Sequence, residues 1–568
     1  MSYDRFPETK IIGYDHEVFN DEQAIYQELL KYKDLHCLVV DCYPGVDNEI
    51  FRLIKRIYQP EIIIKSEDIF YDSKILNDKM KANLTDDRVR GVMYYGVMGD
   101  FVDYNKLVEV NQLLANKDKK ILIYGVGAGL ISTGDLYIYC DLARWEIQLR
   151  YRQGMPNFKC DNFDEDILKK VKRGYFIEWR ISDKHKIKMF NSIDYLIDSN
   201  EKGHPKMVTG LALREGLKQL VKQPFRLVPY FDPGIWGGQW MKKHCNLDLH
   251  EKNYAWSFDG VFEENSLYLR YDNTRIEIPA IDLVLYLPIE LLGMKNYCRF
   301  GAEFPIRFDF LDTIEGQNLS LQVHPLMEYI KSRFGMTYTQ DESYYILDAD
   351  GGGIYLGLKE NINFNEMVDD LKLAQDGKHI FDADKYINYF PAKKHDHFLI
   401  PAGTIHCSSA GCMVLEISAT PYIFTFKLWD WNRLGLDGLP RPIHLDDGIE
   451  NIQQNRTTRW VEKQLVNNIQ VIYDGDYLEE KTGLHELEFI ETRRVTTSTI
   501  TYHDCQEGVH MLNLVEGKEA LVESPSHAFK PFVVHYAETF VIPSAIGKYT
   551  IRPVDNEKII FIKAFVRY

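Results

Sequence analysis

The residues with the clearest chemical potential are Gln322 and His324, two positions apart in the stretch LSLQVHP at 319–325. Apolar and polar residues alternate strictly here, which predicts a β-strand whose polar face carries Ser320, Gln322 and His324. Two ligand-type side chains at this spacing lie roughly 6–7 Å apart at their Cα atoms, so both can reach one ion. A half-buried strand with a solvated polar face would show the same alternation.

Two further residues of ligand type follow along the chain. Glu342 stands at the entrance of an apolar strand predicted at 344–347, and His406 follows an apolar run and a Pro/Gly turn in PAGTIH at 401–406. With Gln322 and His324 they make a nitrogen and oxygen ligand set without a thiolate. Such a set suits a divalent transition ion that keeps open coordination positions, rather than a closed structural site.

Four motifs stand in the order and approximate spacing of a known family. LSLQVHP, the Glu342 position, PAGTIH and WDWNRLGLDG at 429–438 resemble the class I mannose-6-phosphate isomerases, zinc-dependent enzymes of the cupin superfamily, and the resemblance covers residues 228–568. It implies that one zinc ion is bound by four side chains, which are Gln322, His324, Glu342 and His406. It also implies that Arg433 is the active-site arginine.

The reaction implied by the resemblance interconverts mannose 6-phosphate and fructose 6-phosphate through a cis-enediol. The ion and Arg433 would stabilise the negative charge on the two reacting oxygens. The proton shuttle would be an acidic residue beside the metal, such as Glu416, or water held by the ion. Ser320 would orient the substrate. Leu326 and Met327 replace the polar pair that follows the His-Pro in close relatives, so the sugar phosphate itself stays open.

Residues 1–227 lie outside this resemblance and alternate between short β-branched runs and helical patterns, which predicts an α/β domain with a mostly parallel sheet. A glycine-rich loop, GVGAGLIST at 125–133, follows the strand predicted at 121–124 and is similar to the phosphate loop of nucleoside and small-molecule kinases. The lysine of that motif is absent, because Ile131 precedes Ser132. The prediction is a degenerate, kinase-like domain with a structural or regulatory role rather than an active kinase.

The predicted organisation is therefore multidomain, with an N-terminal α/β domain before an all-β cupin (jelly-roll) double barrel. The runs at 267–271 and 274–278 are predicted to be barrel strands, and His395 and His397 are predicted not to bind metal. The predicted domains are 1–226 (α/β, nucleoside-kinase-like), 227–358 (first half of the catalytic barrel), 359–392 (helical insertion), 393–465 (second half of that barrel) and 466–568 (C-terminal cupin-like barrel without metal).

Composition limits the partners. A formal charge of −17 over 568 residues, without a long basic run, argues against nucleic acid. Nine cysteines without CxxC spacing indicate reduced thiols and a cytoplasmic protein. The family resemblance implies a role in carbohydrate metabolism. No apolar run is long enough for a membrane span. Two other functions remain open: a sugar-sensing metal cupin without catalysis, and a sugar or nucleoside kinase that uses the first domain.

Overall fold

The computed structural model describes residues 3–419, 422–435, 438, 441–483, 485–555 and 557–568. The chain forms two compact units, and neither is continuous in sequence. The α/β unit consists of Glu8–Leu220 and Ser266–Leu287, and the barrel unit consists of Met1–Pro7, Val221–Asn265 and Pro288–Tyr568. The chain is thus multidomain, as predicted. None of the helices in the described ranges has the length and apolar character that a membrane span requires.

The first 220 residues supply most of the α/β unit. The strands are β1 (Glu8–Ile11), β2 (Val18–Phe19), β3 (Cys37–Cys42), β4 (Ile62–Lys65), β5 (Ile121–Gly125), β6 (Leu136–Asp141), β7 (Tyr195–Asp198) and β8 (Lys206–Thr209). The helices are α1 (Glu22–Leu29), α2 (Asn48–Tyr58), α3 (Ser73–Leu84), α4 (Tyr104–Leu114), α5 (Arg144–Arg152), α6 (Ile167–Arg173), α7 (Trp179–Met189) and α8 (Gly210–Leu220).

Seven of these strands, all except β1, form one sheet in the order β2-β8-β7-β6-β3-β5-β4. The strands from β7 to β4 are parallel, and β8 and β2 add an antiparallel edge. The mostly parallel sheet follows from the strand–helix alternation. Two of the short apolar runs in this region, at 91–95 and 175–179, predict strands but do not form them: 91–95 has no regular structure, and 175–179 continues a helix as a π-helical turn, Gly174–Glu178. A short apolar run does not distinguish a buried strand from a buried helix.

The glycine-rich loop differs from a phosphate loop, which connects a strand to a helix. After β5 it makes a single 3₁₀ turn, Ala128–Leu130, and the chain then enters β6. The amides of Gly127 and Gly129 donate to the two carboxylate oxygens of Asp41, at 2.9 and 2.8 Å. A side-chain carboxylate therefore already uses two of the amide donors that a phosphate would need. This finding weighs against the kinase hypothesis.

Residues 221–287 belong partly to each unit. They contain β9 (Tyr230–Asp232), β10 (Trp256–Gly260), β11 (Ser266–Tyr271), β12 (Thr274–Pro279), α9 (Trp240–His244) and α10 (Ile281–Tyr286). The hairpin β11–β12 pairs with β1 in a separate three-stranded sheet of the α/β unit. The prediction of barrel strands at 267–271 and 274–278 is therefore wrong, because alternation identifies a strand but not its partner. The prediction places one domain boundary after residue 226, whereas the observed units divide after Leu220 and the segment Ser266–Leu287 returns to the α/β unit.

The first barrel and its insertion follow. The strands are β13 (Arg307–Asp312), β14 (Leu321–Val323), β15 (Glu342–Ala349), β16 (Gly353–Leu358), β17 (Ile387–Pro391), β18 (His397–Ile400), β19 (His406–Ser408), β20 (Cys412–Ser418) and β21 (Phe426–Trp429). The helices are α11 (Pro288–Leu292), α12 (Met294–Phe300), α13 (Met327–Phe334), α14 (Phe364–Gln375), α15 (Ala383–Tyr386), α16 (Leu445–Asn451) and α17 (Thr458–Gln464). One sheet has the order β18-β15-β20-β13-β10-β9 and the other β17-β16-β19-β14-β21.

The C-terminal region is also a pair of antiparallel sheets. Its strands are β22 (Gln470–Asp474), β23 (Leu478–Gly483), β24 (Ile490–Thr497), β25 (Thr501–Asp504), β26 (His510–Glu516), β27 (Glu519–Glu523), β28 (Phe532–His535), β29 (Thr539–Ile542), β30 (Lys548–Pro553) and β31 (Ile559–Val566). The sheet orders are β22-β23-β24-β31-β26-β29 and β25-β30-β27-β28. Its core is apolar, with Leu512, Leu514 and Phe561 among the buried residues.

Candidate metal centre

The four predicted ligands meet inside the first barrel, between its two sheets. Gln322 on β14 and His406 on β19 are direct register partners, so their side chains point the same way. His324 follows β14, and Glu342 begins β15 in the other sheet. One nitrogen or oxygen atom from each of His324, Glu342 and His406 lies within 4.8 Å of the others. Gln322 Nε2 lies 3.2 Å from His406 Nε2.

Backbone carbonyls fix which nitrogen of each imidazole faces the centre. His324 Nδ1 lies 2.9 Å from the carbonyl oxygen of Phe424, and His406 Nδ1 lies 2.9 Å from that of Thr404. Each Nδ1 therefore carries the proton, and each Nε2 presents a lone pair. The Nε2 atoms of His324 and His406 lie 3.1 and 2.8 Å from the Glu342 carboxylate. Lone pairs and a carboxylate converge here on one point.

This donor set fits a divalent cation. With both imidazole protons on Nδ1, no proton lies between the Nε2 atoms and the Glu342 carboxylate. Within the described parts of the chain, the buried His324 Nε2 and Glu342 Oε1 accordingly have no hydrogen-bonding partner. Burial raises the pKa of Glu342, but the imidazoles of His324 and His406 outweigh it and hold that pKa well below its usual range. Burial lowers the pKa of His324, and the Glu342 carboxylate reverses the shift, so the pKa is raised. A bound cation would supply the missing partner for the lone pairs and the carboxylate together.

Sequence reasoning gave no role to Gln340, which orients this centre. Its Nε2 donates to Glu342 Oε2 at 3.0 Å, and its Oε1 accepts from the amide of Phe424 at 2.6 Å. The carbonyl of Phe424 in turn accepts from His324 Nδ1, so one amide side chain connects two of the predicted ligands. One feature of the sequence could have indicated this role: Gln340 stands two residues before Glu342, and residues at that spacing share a strand face.

Arg433 lies in a tight turn attached to the segment that precedes β14. Trp431 and Asn432 both have positive φ, at 56° and 55°. The Arg433 guanidinium donates to the carbonyl of Asn318 and to Asp430 Oδ1, each at 2.6 Å. The guanidinium is thus held rigidly beside the ligand strand. Leu436 and Asp437 of the same predicted motif lie outside the described residues.

Glu416 and Ser320 are both buried. Glu416 lies on β20, opposite Tyr344 of β15 and Asp309 of β13. Burial, together with the charges of Glu342 and Asp309, raises the pKa of Glu416 well above its usual range. Ser320 stands immediately before β14 and shares the polar face of Gln322 by strand alternation.

Two other histidines have different partners. His395 Nε2 lies 2.6 Å from Glu516 Oε2, and His397 Nδ1 lies 3.0 Å from the hydroxyl of Thr482. Among the described residues, the cluster of His324, Glu342 and His406 contains neither of them.

Comparisons with known proteins give a family match for one part of the chain and curated relatives that align with about two-fifths of it. Residues 21–222 match a family described as a domain of unknown function, DUF8485. Mannose-6-phosphate isomerase of Streptococcus mutans serotype c is 24% identical over 246 residues, which are 43% of this chain and 73% of that protein. Mannose-6-phosphate isomerase ManA of Bacillus subtilis is 29% identical over 240 residues, 41% of this chain and 69% of the relative.

Among solved structures, the mannose 6-phosphate isomerase of Bacillus subtilis aligns at a TM-score of 0.48 and 16% identity, and covers 60% of this chain and 99% of that one. The curated relatives of this chain are thus named mannose-6-phosphate isomerases, and each of them aligns with about two-fifths of the length of this chain.

Proposed function

We propose that this chain is a zinc-dependent aldose–ketose isomerase that interconverts mannose 6-phosphate and fructose 6-phosphate. The observation that carries the proposal is the convergence of two imidazole lone pairs and a buried carboxylate, with the amide of Gln322 beside them. The similarity to curated mannose-6-phosphate isomerases supports the choice of reaction and substrate.

His324, Glu342, His406 and Gln322 would hold the zinc ion, which would act as a Lewis acid on the carbonyl and hydroxyl oxygens at C1 and C2. Four protein ligands of these types exclude soft, thiolate-dependent ions. Burial of the ligands keeps bulk water away from the reacting oxygens, so that fixed charges act more strongly there.

Three side chains of the protein would supply charge stabilisation, proton transfer and substrate orientation. The guanidinium of Arg433, fixed by Asp430 and Asn318, would stabilise negative charge that develops on the enediol oxygens. Glu416 is our candidate for the group that moves the proton between C1 and C2, because burial raises its pKa and its carboxyl group therefore holds a proton more readily than an exposed one. Ser320 would orient the substrate on the ligand face.

A coupled assay of fructose 6-phosphate formation from mannose 6-phosphate tests the proposal directly. Turnover should vanish with a chelator and return with zinc. His324→Ala should lose both zinc and turnover. Arg433→Gln should keep its zinc and lose about 100-fold or more in kcat, as other active sites do when a fixed donor to a developing oxyanion is removed.

Arg333→Gln is the matched control for the arginine, since its side chain is 66% exposed on α13. Full zinc occupancy without any turnover would refute the isomerase function and leave a metal-binding, non-catalytic protein. Unchanged kcat in Arg433→Gln would remove that residue from the mechanism.

A further inference from the structure

A second polar cluster inside the first barrel centres on Arg307, whose side chain is 1% exposed. Its Nε donates to Asp309 Oδ2 at 2.7 Å. Both terminal nitrogens, Nη1 and Nη2, are buried without a hydrogen-bonding partner in the described parts of the chain, and so is Asp309 Oδ1. A buried guanidinium with two unpaired nitrogens is rare, because buried polar groups are normally satisfied.

Strand register places this pair on the same sheet face as the metal centre. Arg307 on β13 is opposite Ser418 on β20, which is opposite Glu342 on β15. In the next row of that face Asp309, Glu416 and Tyr344 are neighbours in the same order. Adjacent strands lie about 4.8 Å apart, so the backbone of Arg307 lies about 10 Å from that of Glu342. The long side chain of Arg307 can therefore reach a molecule held at the metal centre.

The surroundings of Arg307 suit neutral hydroxyl groups better than a phosphate. The positive charge of its guanidinium already interacts with the carboxyl groups of Asp309, Glu264 and Glu416. A phosphate dianion would face these three groups, whereas a sugar hydroxyl can accept from Nη1 or Nη2 and donate to Asp309 Oδ1.

An aromatic wall completes the cluster. The Phe258 ring centroid lies 5.1 Å from the Arg307 guanidinium carbon, and the ring of Tyr230 stacks on that of Phe258 at 4.6 Å. Phe258 is opposite Asp309 in the sheet register, so the ring lies on the same face. Aromatic faces offer apolar contact to the C–H groups of a sugar chain.

We propose that Arg307 and Asp309 form a hydroxyl-recognition subsite that binds the carbon chain of an open-chain sugar beyond C2. This subsite deepens the proposed function, on which it rests. It assigns the phosphate group to a position away from Arg307. Arg307 and Asp309 would determine which hydroxyl configuration the protein accepts.

Calorimetric binding to the zinc-loaded, full-length chain tests the subsite without requiring turnover. The probes are mannitol 6-phosphate, which cannot isomerise, its 3-deoxy and 4-deoxy analogues, and inorganic phosphate. We expect Arg307→Lys to weaken mannitol 6-phosphate binding at least tenfold, since lysine keeps the charge but not the planar pair of donors. At least one deoxy analogue should bind the unsubstituted protein at least tenfold more weakly than mannitol 6-phosphate. Arg307→Lys should no longer distinguish these two compounds.

Asp309→Asn should show the same loss of discrimination. Arg494→Lys is the matched control for removal of a guanidinium: its Nε is paired with Glu480 at 2.9 Å in the C-terminal barrel, and all probes should bind it as before. Zinc content and thermal unfolding are measured for every variant.

Three results would overturn the subsite. They are equal discrimination by Arg307→Lys and the unsubstituted protein, a selective loss of inorganic phosphate binding in Arg307→Lys, and no binding of any polyol to the unsubstituted, zinc-loaded chain. If the chain distinguishes mannitol 6-phosphate from its deoxy analogues as expected but has no isomerase turnover, the subsite stands and the proposed reaction is refuted.

Discussion

The free lone pairs of His324 and His406 depend on atoms that are not themselves ligands. Backbone carbonyls hold both Nδ1 atoms, and Gln340 joins Glu342 to the backbone that holds His324. Partners of this kind, behind the ligands, set imidazole orientation and tune metal affinity. The strength of metal binding should therefore respond to changes at residues that never touch the ion.

Gln340→Met tests this dependence at a single residue. The substitution keeps the approximate volume and removes the hydrogen bond to Glu342, so we expect zinc affinity to fall about 10- to 100-fold. Competition with a chromophoric chelator measures it. His395→Gln, at a histidine outside the centre, is the control and should bind zinc normally. Normal affinity in Gln340→Met would show that Glu342 needs no such support.

The ligand types could be predicted from the sequence, but their supporting contacts could not. The spacing of Gln322 and His324 fixes a shared strand face, and the family resemblance adds Glu342 and His406. The partners of their Nδ1 atoms are carbonyls about 100 residues away or in a turn, and carbonyls leave no mark in a sequence. Arg307 and Asp309 likewise show only the alternation of an ordinary strand. Their proposed role is visible only from the residues beside them on the adjacent strands.

Among the elements, the turn between β18 and β19 connects the two ligand segments. Gly403 has φ +89°, and its amide donates to the carbonyl of His324 at 2.9 Å. A Cβ at this position would lie 2.7 Å from Gln453 Cγ and 2.9 Å from the carbonyl oxygen of Asn451. The turn must therefore keep glycine to hold His406 in register with Gln322.

We expect Gly403→Ala to lower the free energy of unfolding by about 1–3 kcal/mol, through backbone strain and close contacts, and to weaken zinc binding as well. Chemical denaturation and zinc competition measure the two effects. Gly377→Ala is the matched control, because Gly377 also has positive φ (+70°) but no atom within 4 Å of the added Cβ. Equal zinc affinity in both variants would contradict a role for the turn in placing His406.

His397 on β18 is fully buried against Tyr345 and the hydroxyl of Thr482 on β23. Burial lowers its pKa from 6.5 to about 3. Below pH 6.5 the unfolded chain binds a proton at this residue that the folded chain does not, so stability falls as the pH falls toward 3. The contribution is at most about 1.4 kcal/mol per pH unit.

His397→Gln should flatten this acid dependence. The test compares urea unfolding of the variant and the unsubstituted protein at pH 7 and pH 5. The difference in stability between the two proteins should change between these pH values, in favour of the variant at pH 5. A difference that is the same at both pH values would show that the imidazole is not kept neutral on folding.

At the scale of the whole molecule, the sequence indicated several domains but not their discontinuity. The segment Ser266–Leu287 leaves the barrel sequence and completes the α/β unit. Within that unit β11 is the partner of β1, and Asp282 Oδ1 lies 2.8 Å from the buried Lys186 Nζ, which also contacts Asp141 at 2.6 Å. Pairing between such distant segments has no local signature in the sequence.

We expect a fragment of residues 8–220 to lack a cooperative thermal transition, because β1 would lose its partner strand and Lys186 one of its two carboxylates. A second fragment, in which a flexible linker joins 8–220 to 266–287, is the control and should recover the transition. Circular dichroism measures both. Identical melting of the two fragments would mean that the returning segment is dispensable for the fold.

The returning hairpin also sets an order of events during synthesis. The α/β unit is still incomplete when the first 220 residues have left the ribosome, since its last two strands, β11 and β12, are made only after the first part of the barrel sequence. At roughly 5–20 residues per second the nascent unit waits for several seconds with one edge unfinished. Neither unit is encoded by one continuous stretch of the chain, so no single cut in the gene would release one of them whole.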